Sequence, residues 1–121
     1  MSEIDRLLDY LNRMQSAATQ AIDFTKDLQP AAFERDTKTQ MAVAMAFVLI
    51  GEAATRISSR FPEFVADHPE IAWAKIRGMR NLIAHDYNEL DMPVVWRTLK
   101  NELPVLVDLI SQLRSRHMQG E

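Results

Sequence analysis

The sequence contains no cysteine among its 121 residues. Disulfides, thiolate metal sites and cysteine nucleophiles are therefore excluded, and a reducing cytoplasm fits this composition best. Its three glycines are isolated, which excludes the glycine-rich phosphate loops of Walker-type and dinucleotide-binding proteins. The three histidines, His68, His85 and His117, lack the close spacing of metal ligands. We therefore expect neither a metal nor a cofactor.

Long apolar runs are also missing. The longest, Met41 to Ile50, is too short to cross a bilayer. The first fifteen residues carry charges throughout and lack the pattern of a secretory signal. With 47% apolar and 26% charged residues, the sequence predicts a globular domain that is neither exported nor membrane-spanning. We expect residues 1–121 to form one domain, with residues from about 115 to 121 frayed.

Charge is low overall but uneven. A net charge of −3 argues against a protein that coats nucleic acid by bulk electrostatics. The stretch from Ile71 to His85 nevertheless contains Lys75, Arg77 and Arg80 and no acid. It forms either a local positive face or a helix whose bases pair with acids elsewhere. Charge counting alone favours the second interpretation.

Apolar residues recur at helical spacing throughout, and no strand-like alternation is present. The pattern predicts an amphipathic first helix up to Gln29-Pro30. A second helix, starting at Asp36 or Thr37 and ending before Pro62, is apolar on every side at MAVAMAFVLI, as is typical of the central helix of a bundle. The sequence thus predicts an all-α, four- to five-helix up-and-down bundle.

Local signals refine the later helices. Asp67 and Glu70 have the spacing of a capping box and predict a helix start. Gly78 lies inside that helix, and a close approach to Gly51 of the central helix would explain it. Pro104 lies inside the last helical pattern and should kink the helix or split it in two.

The segment RNLIAHDY, residues 80–87, gathers a guanidinium, an imidazole and a phenol at a helix end next to a turn. Arg80 can bind phosphate oxygens and stabilise the charge of a pentacoordinate state. An imidazole such as that of His85 can transfer protons near neutral pH. Without a metal or a cysteine, these groups suit RNA cleavage through attack by the substrate's own 2′-hydroxyl.

Helical geometry constrains this hypothesis. A separation of five residues turns His85 about 140° away from Arg80 on a regular helix. One histidine also cannot act as base and acid in the same step. Both difficulties disappear if two subunits meet at this segment about a twofold axis. We therefore predict a homodimer with a composite cleft.

The same residues also fit a structural role. An arginine and a histidine can satisfy the terminal carbonyls of a helix, and Tyr87 can lie at the boundary with its ring buried and its hydroxyl in water. Spacing alone favours this structural interpretation.

The segment resembles Arg-x-x-x-x-His-x-Tyr, the signature of the HepT-like HEPN family of toxin ribonucleases. IGEAATRIS in the central helix, HPEIAWAKIRGMRN before the motif and LDMPVVWRTLKNELPVL after it resemble that family as well, so the likeness covers nearly the whole chain. One difference is Ala72, where a proline is more usual. It affects the helix start and no catalytic role.

The resemblance implies an all-helical, homodimeric HEPN fold and a metal-independent endoribonuclease with Arg80 and His85 as catalytic pair. It further implies the toxin of a type VII-like toxin–antitoxin system. The antitoxin would be a minimal nucleotidyltransferase that transfers AMP to Tyr87, where the added bulk and negative charge would block RNA.

Two residues have supporting roles under this hypothesis. Glu52 either reaches the basic groups of the motif or pairs with Arg56 one turn away, and we favour the second. Asn81 orients the His85 imidazole or contacts RNA, or else it is a solvent-facing amide. Two other functions remain open: a noncatalytic helical partner of a nucleotidyltransferase that binds nucleotide, and a purely structural dimer.

Overall fold

The computed structural model describes residues 1–118, and these residues form helices and no strands. The helices are α1 (Glu3–Thr25), α2 (Pro30–Glu34), α3 (Thr37–Arg60), α4 (Pro62–Asp67), α5 (Trp73–Asp86), α6 (Met92–Asn101) and α7 (Leu103–Met118). A 3₁₀ turn, Tyr87–Glu89, joins α5 to α6. The predicted all-α class is confirmed. Five of the helices have ten or more residues, and α2 and α4 are short connecting helices.

Helix α1 is fixed at both ends by side-chain hydrogen bonds. Ser2 and Asp5 form a capping box at its start. It ends at Thr25, four residues before the predicted Gln29. There the buried Thr25 hydroxyl donates to the Ala21 carbonyl (2.9 Å), and Lys100 Nζ donates to the Thr25 carbonyl (3.0 Å). The negative end of the helix dipole also stabilises a cation near these carbonyls.

Helix α3 is the central helix, packed between α1 and α5. Asp36 is its N-cap, as predicted: its carboxylate accepts from the Thr39 hydroxyl (2.6 Å) and backbone N–H (3.0 Å), and these bonds lower the pKa of Asp36. By length and composition α3 could span a membrane, and half of its most apolar window is buried inside the bundle. Burial against neighbouring helices explains its apolar character.

The predicted helix start at Asp67 is wrong. Asp67 ends α4 instead, and α5 begins only at Trp73. Glu70 does not close a capping box, because its carboxylate lies 2.9 Å from His68 Nδ1. The Trp73 indole N–H donates to the His68 carbonyl (3.0 Å), and Ile71 and Trp73 are both buried. Tertiary packing of these two side chains thus replaces the local capping signal.

The last helical pattern is split in two, which is one of the two outcomes expected from Pro104. Asp91 caps α6 by accepting from the Val94 N–H (3.2 Å). Helix α6 ends at Asn101 and α7 begins at Leu103, which puts Pro104 in the first turn of α7. Residues 115–118, predicted to fray, continue α7, and the rest of that predicted segment lies outside the described residues.

One apolar core connects these helices. Its fully buried large side chains come from α1, α2, α3, α6 and α7: Leu11, Met14, Phe33, Val43, Ile50, Ile57, Leu99, Ile110 and Leu113. Helix α5 adds Trp73 and Ile83 and leaves most of its remaining surface exposed. The helix carrying the RNLIAHDY motif therefore lies at the outside of the bundle, against the central helix.

Candidate active site

A close crossing of α3 and α5 fixes the position of Arg80. A Cβ atom built on Gly51 would lie 2.2 Å from Arg80 Cβ and 2.8 Å from its Cγ. Only glycine leaves room for this contact. The predicted counterpart, Gly78, has no atom within 4 Å of the corresponding position. The pairing of the two glycines is therefore wrong, since Gly78 lies two residues from Arg80 and on the opposite face of α5.

The guanidinium of Arg80 has two partners. Its Nη2 lies 3.1 Å from Glu52 Oε1, and its Nη1 donates to Asn81 Oδ1 at 3.2 Å. The side chains of Arg80 and Glu52 are 31% and 47% exposed, so a substrate can still reach the guanidinium. Glu52 does not pair with Arg56, contrary to the interpretation we favoured. The close packing of α3 and α5 at Gly51 places Arg80 beside Glu52 instead.

His85 lies in the last turn of α5 and is exposed, and its imidazole makes no hydrogen bond or ion pair within residues 1–118. The Asn81 side chain accepts from Arg80 and has no hydrogen bond to the His85 imidazole. Because α5 continues to Asp86, Arg80 and His85 belong to one regular helix and point about 140° apart. An earlier helix end, which would have let both face one ligand within a single chain, does not occur.

Tyr87 begins the 3₁₀ turn that follows α5. Its ring is half-buried against the core, and its carbonyl accepts from the Leu90 N–H at 3.1 Å. Its hydroxyl has no hydrogen-bond partner in the described part of the chain and is not among the buried unpaired polar atoms there. The phenol oxygen therefore reaches solvent while the turn and the core fix the ring.

Comparison with known proteins identifies the family of this chain. The family model described as "Ribonuclease HepT-like" matches residues 14–113, most of the chain. The chain belongs to this family.

Curated relatives carry corresponding names. The HepT-like chain is 36% identical over 106 residues to "Probable ribonuclease HepT" of Thermococcus cleftensis, covering 88% of this chain and 94% of the relative. It is 30% identical over 95 residues to "Putative RNase MJ1380" of Methanocaldococcus jannaschii, covering 78% and 84%. No solved structure matches the chain.

The basic residues of α5 in this HepT-like ribonuclease have different partners. Lys75 pairs with Glu102 (2.8 Å) and Arg80 with Glu52, so for these two the expected pairing with distant acids is found. Arg77 has no ion-pair partner among residues 1–118. The positive charge of the segment is therefore neutralised only in part.

An open groove of about 410 Å³ lies between α3 and α5, and we call it the arginine groove. Its lining consists of Glu52, Thr55, Arg56, Arg77, Arg80 and Asn81. Sequence reasoning missed Arg56 and Arg77 as site residues. The available signal was that Arg56 follows Glu52 by four residues and Arg77 precedes Arg80 by three, which places each pair on one helical face.

Residues 1–118 contain no group of three or more His, Asp or Glu side chains arranged to hold a metal ion. The polar groups of the site are guanidinium, imidazole, amide, phenol and the Glu52 carboxylate. Guanidinium groups bind phosphate oxygens directly, and imidazole transfers protons.

Proposed function

We propose that this HepT-like ribonuclease is a metal-independent endoribonuclease, with Arg80 and His85 as its catalytic pair. The observation that carries the proposal is the position of the Arg80 guanidinium, which Gly51, Glu52 and Asn81 fix while leaving it accessible. A pre-positioned cation of this kind stabilises the charge that develops on a phosphorane. Asn81 and Glu52 are supporting residues that orient it.

The reaction is an internal transesterification. The 2′-oxygen of the substrate forms a bond to phosphorus, the bond from phosphorus to the 5′-oxygen breaks, and the leaving oxygen takes up a proton. A base removes the proton of the 2′-hydroxyl and an acid supplies the second proton. In the shared cleft, His85 of one copy acts as the base and His85 of the other copy as the acid, and Arg80 stabilises the phosphorane oxygens. The products are a 2′,3′-cyclic phosphate and a 5′-hydroxyl.

The site is shared between two copies of the chain. Arg80 and His85 point about 140° apart on α5, so one copy alone does not direct both at one phosphate. An α3 apolar stripe, Met41, Met45 and Leu49, is 57%, 55% and 47% exposed. Glu52 follows Leu49 by three residues and lies on the same face of α3 as this stripe. Covering this stripe with a second copy would close a composite cleft beside Arg80.

In the cell, this ribonuclease acts as the toxin of a type VII-like toxin–antitoxin pair in the cytoplasm. A minimal nucleotidyltransferase neutralises it by transferring AMP to Tyr87. The phenol gives up its proton to solvent, its oxygen forms a bond to the α-phosphorus of ATP, and pyrophosphate leaves with the electron pair of the broken bond. The solvent-accessible hydroxyl and the fixed ring suit this reaction, and the adenylate adds negative charge next to the RNA cleft.

RNA cleavage tests the catalytic proposal. Purified wild type, Arg80→Ala and His85→Ala proteins are incubated with a mixed-sequence RNA in excess chelator, and the product ends are identified by mass spectrometry. We expect 2′,3′-cyclic phosphate ends from the wild type alone. Equal activity of all three proteins would refute the catalytic pair. Intact RNA together with stimulated nucleotide transfer by the partner would favour the noncatalytic function.

The modification is tested separately. Incubation with the nucleotidyltransferase and ATP should add AMP mass to wild type and none to Tyr87→Phe. The phenylalanine variant keeps the ring that packs on the core, so its melting temperature should stay near that of the wild type. AMP found on another residue would remove Tyr87 from the proposal.

A further inference from the structure

The arginine groove carries more positive charge than the ion pair in it neutralises. Three guanidiniums and one carboxylate line it, which leaves two positive charges in excess. Glu52 is already bound to Arg80. Arg56 and Arg77 have neither an ion-pair nor a hydrogen-bond partner within residues 1–118, although both line the same 410 Å³ groove. Adjacent like charges favour an anion between them.

The two free arginines lie to one side of Arg80. Arg77 is one turn before Arg80 on α5, about 4.5 Å along the helix axis. Arg56 is one turn after Glu52 on α3. Because Glu52 contacts Arg80, and because the groove also joins Arg56 and Arg77, the two helices run in opposite directions here. Arg56 and Arg77 therefore lie at a similar level of the groove, away from the end of α5 that carries His85.

Guanidinium groups match phosphate in geometry and charge. Each presents planar N–H donors that bind two phosphate oxygens at once. The distance of one helical turn from Arg80 is comparable to the separation of neighbouring phosphates along an RNA strand. The groove is open, so a strand can pass along it.

We infer that Arg56 and Arg77 bind the phosphate next to the scissile phosphate of the RNA, and so fix the strand relative to Arg80. The inference rests on the proposed ribonuclease function. Arg56 and Arg77 are positioning residues, since the reacting atoms lie at Arg80 and His85. Their loss weakens substrate binding more than it slows the chemical step.

Binding to a 2′-O-methyl RNA, which cannot be cleaved by attack of the 2′-oxygen, tests the inference. The Arg56→Gln/Arg77→Gln double variant should bind about tenfold more weakly than wild type, because charge-assisted hydrogen bonds are lost. Its plot of log affinity against log salt concentration should be shallower by about 0.7, the value for one phosphate of a single strand. Arg97→Gln, which removes one exposed arginine of α6 outside the groove, is the control for the loss of positive charge elsewhere and should match wild type.

Cleavage kinetics add a second readout. With cleavable RNA, the double variant should show a KM about tenfold higher and a kcat within a few-fold of wild type. A neutral methylphosphonate at one of the two phosphates that flank the scissile phosphate should abolish the difference between double variant and wild type. The same substitution at the other flanking phosphate should preserve that difference.

Three results would overturn the inference: wild-type affinity and salt dependence in the double variant, an equal loss in the Arg97→Gln control, or intact RNA binding with lost binding of the nucleotidyltransferase. The last result would make the groove a protein-docking surface. If wild type binds the RNA analogue through Arg56 and Arg77 but cleaves no RNA, the proposed catalysis fails while the phosphate site stands. The two failures are therefore distinguishable.

Discussion

Two arginine–glutamate pairs join α3 to its neighbours, and they have nearly the same geometry. Arg60 Nη2 lies 3.1 Å from Glu3 Oε1 at the start of α1, and Arg80 Nη2 lies 3.1 Å from Glu52 Oε1. In the first pair the side chains are 43% and 64% exposed, and in the second 31% and 47%. Distance and exposure alone would assign both pairs the same role.

Their surroundings differ. Arg60 is the last residue of α3, and its Nε also faces the Glu3 carboxylate (3.4 Å), a contact that raises the pKa of Arg60. That pair ties two helix ends together. Arg80 instead lies in the middle of α5, over Gly51 and beside a groove with further arginines. An exposed ion pair by itself therefore indicates no function, whereas the groups that surround it do.

Removing each arginine gives the largest contrast. Arg80→Ala should lower kcat/KM for RNA by about 10²- to 10³-fold, the effect of removing one donor that stabilises a transition state. Arg60→Ala should retain wild-type cleavage and nearly the same melting temperature, because an exposed ion pair contributes little. Single-turnover cleavage and thermal unfolding measure both. Equal losses from the two substitutions would erase the distinction between the pairs.

Replacing Gly51 or Gly78 with alanine tests whether the crossing of α3 and α5 fixes Arg80. Gly51→Ala places a methyl group into the Arg80 stem and should destabilise the fold by about 1–3 kcal/mol while lowering cleavage. Gly78→Ala has open space and should stabilise the fold by about 1 kcal/mol, since alanine favours a helix interior. Urea unfolding gives both free energies. A Gly51→Ala protein with wild-type stability and activity would show that the crossing does not position Arg80.

Substituting the two glutamates should have the smallest effect. Glu52→Gln keeps an oxygen acceptor for Arg80 and removes one negative charge from the arginine groove. We expect turnover to fall by about tenfold or less and RNA affinity to rise at low salt. Glu3→Gln is the matched change in the other pair and should alter neither quantity. Unchanged affinity in Glu52→Gln would place the bound RNA away from the groove.

The sequence was sufficient to predict the all-helical class and both ends of the central helix α3. Periodicity identifies α1 and α3, and Asp36 caps α3 through its own side chain. Pro62 and Pro104 restrict the backbone within about one helical turn of their own positions. The failed start at Asp67 shows the limit of such signals. The Asp67–Glu70 spacing fits a capping box, but burial of Ile71 and Trp73 decides the conformation, and burial depends on helices distant in sequence.

The candidate site was predicted in part. RNLIAHDY marks Arg80, His85 and Tyr87 because they are neighbours in sequence. The partner of Glu52 could not be predicted, since Arg56 is one helical turn away while Arg80 is 28 residues away and reaches Glu52 only through the crossing at Gly51. The arginine groove was missed for the same reason, because its two walls come from different helices.

Subunit mixing tests the shared cleft most directly. Arg80→Ala and His85→Ala proteins, each with a different tag, are unfolded together and refolded, and the doubly tagged species is purified. We expect this mixed dimer to cleave RNA faster than either parent but more slowly than wild type, because one copy supplies a guanidinium, the other supplies one imidazole, and water takes the place of the second imidazole. A mixed dimer confirmed by native mass spectrometry but as inactive as its parents would contradict the composite cleft.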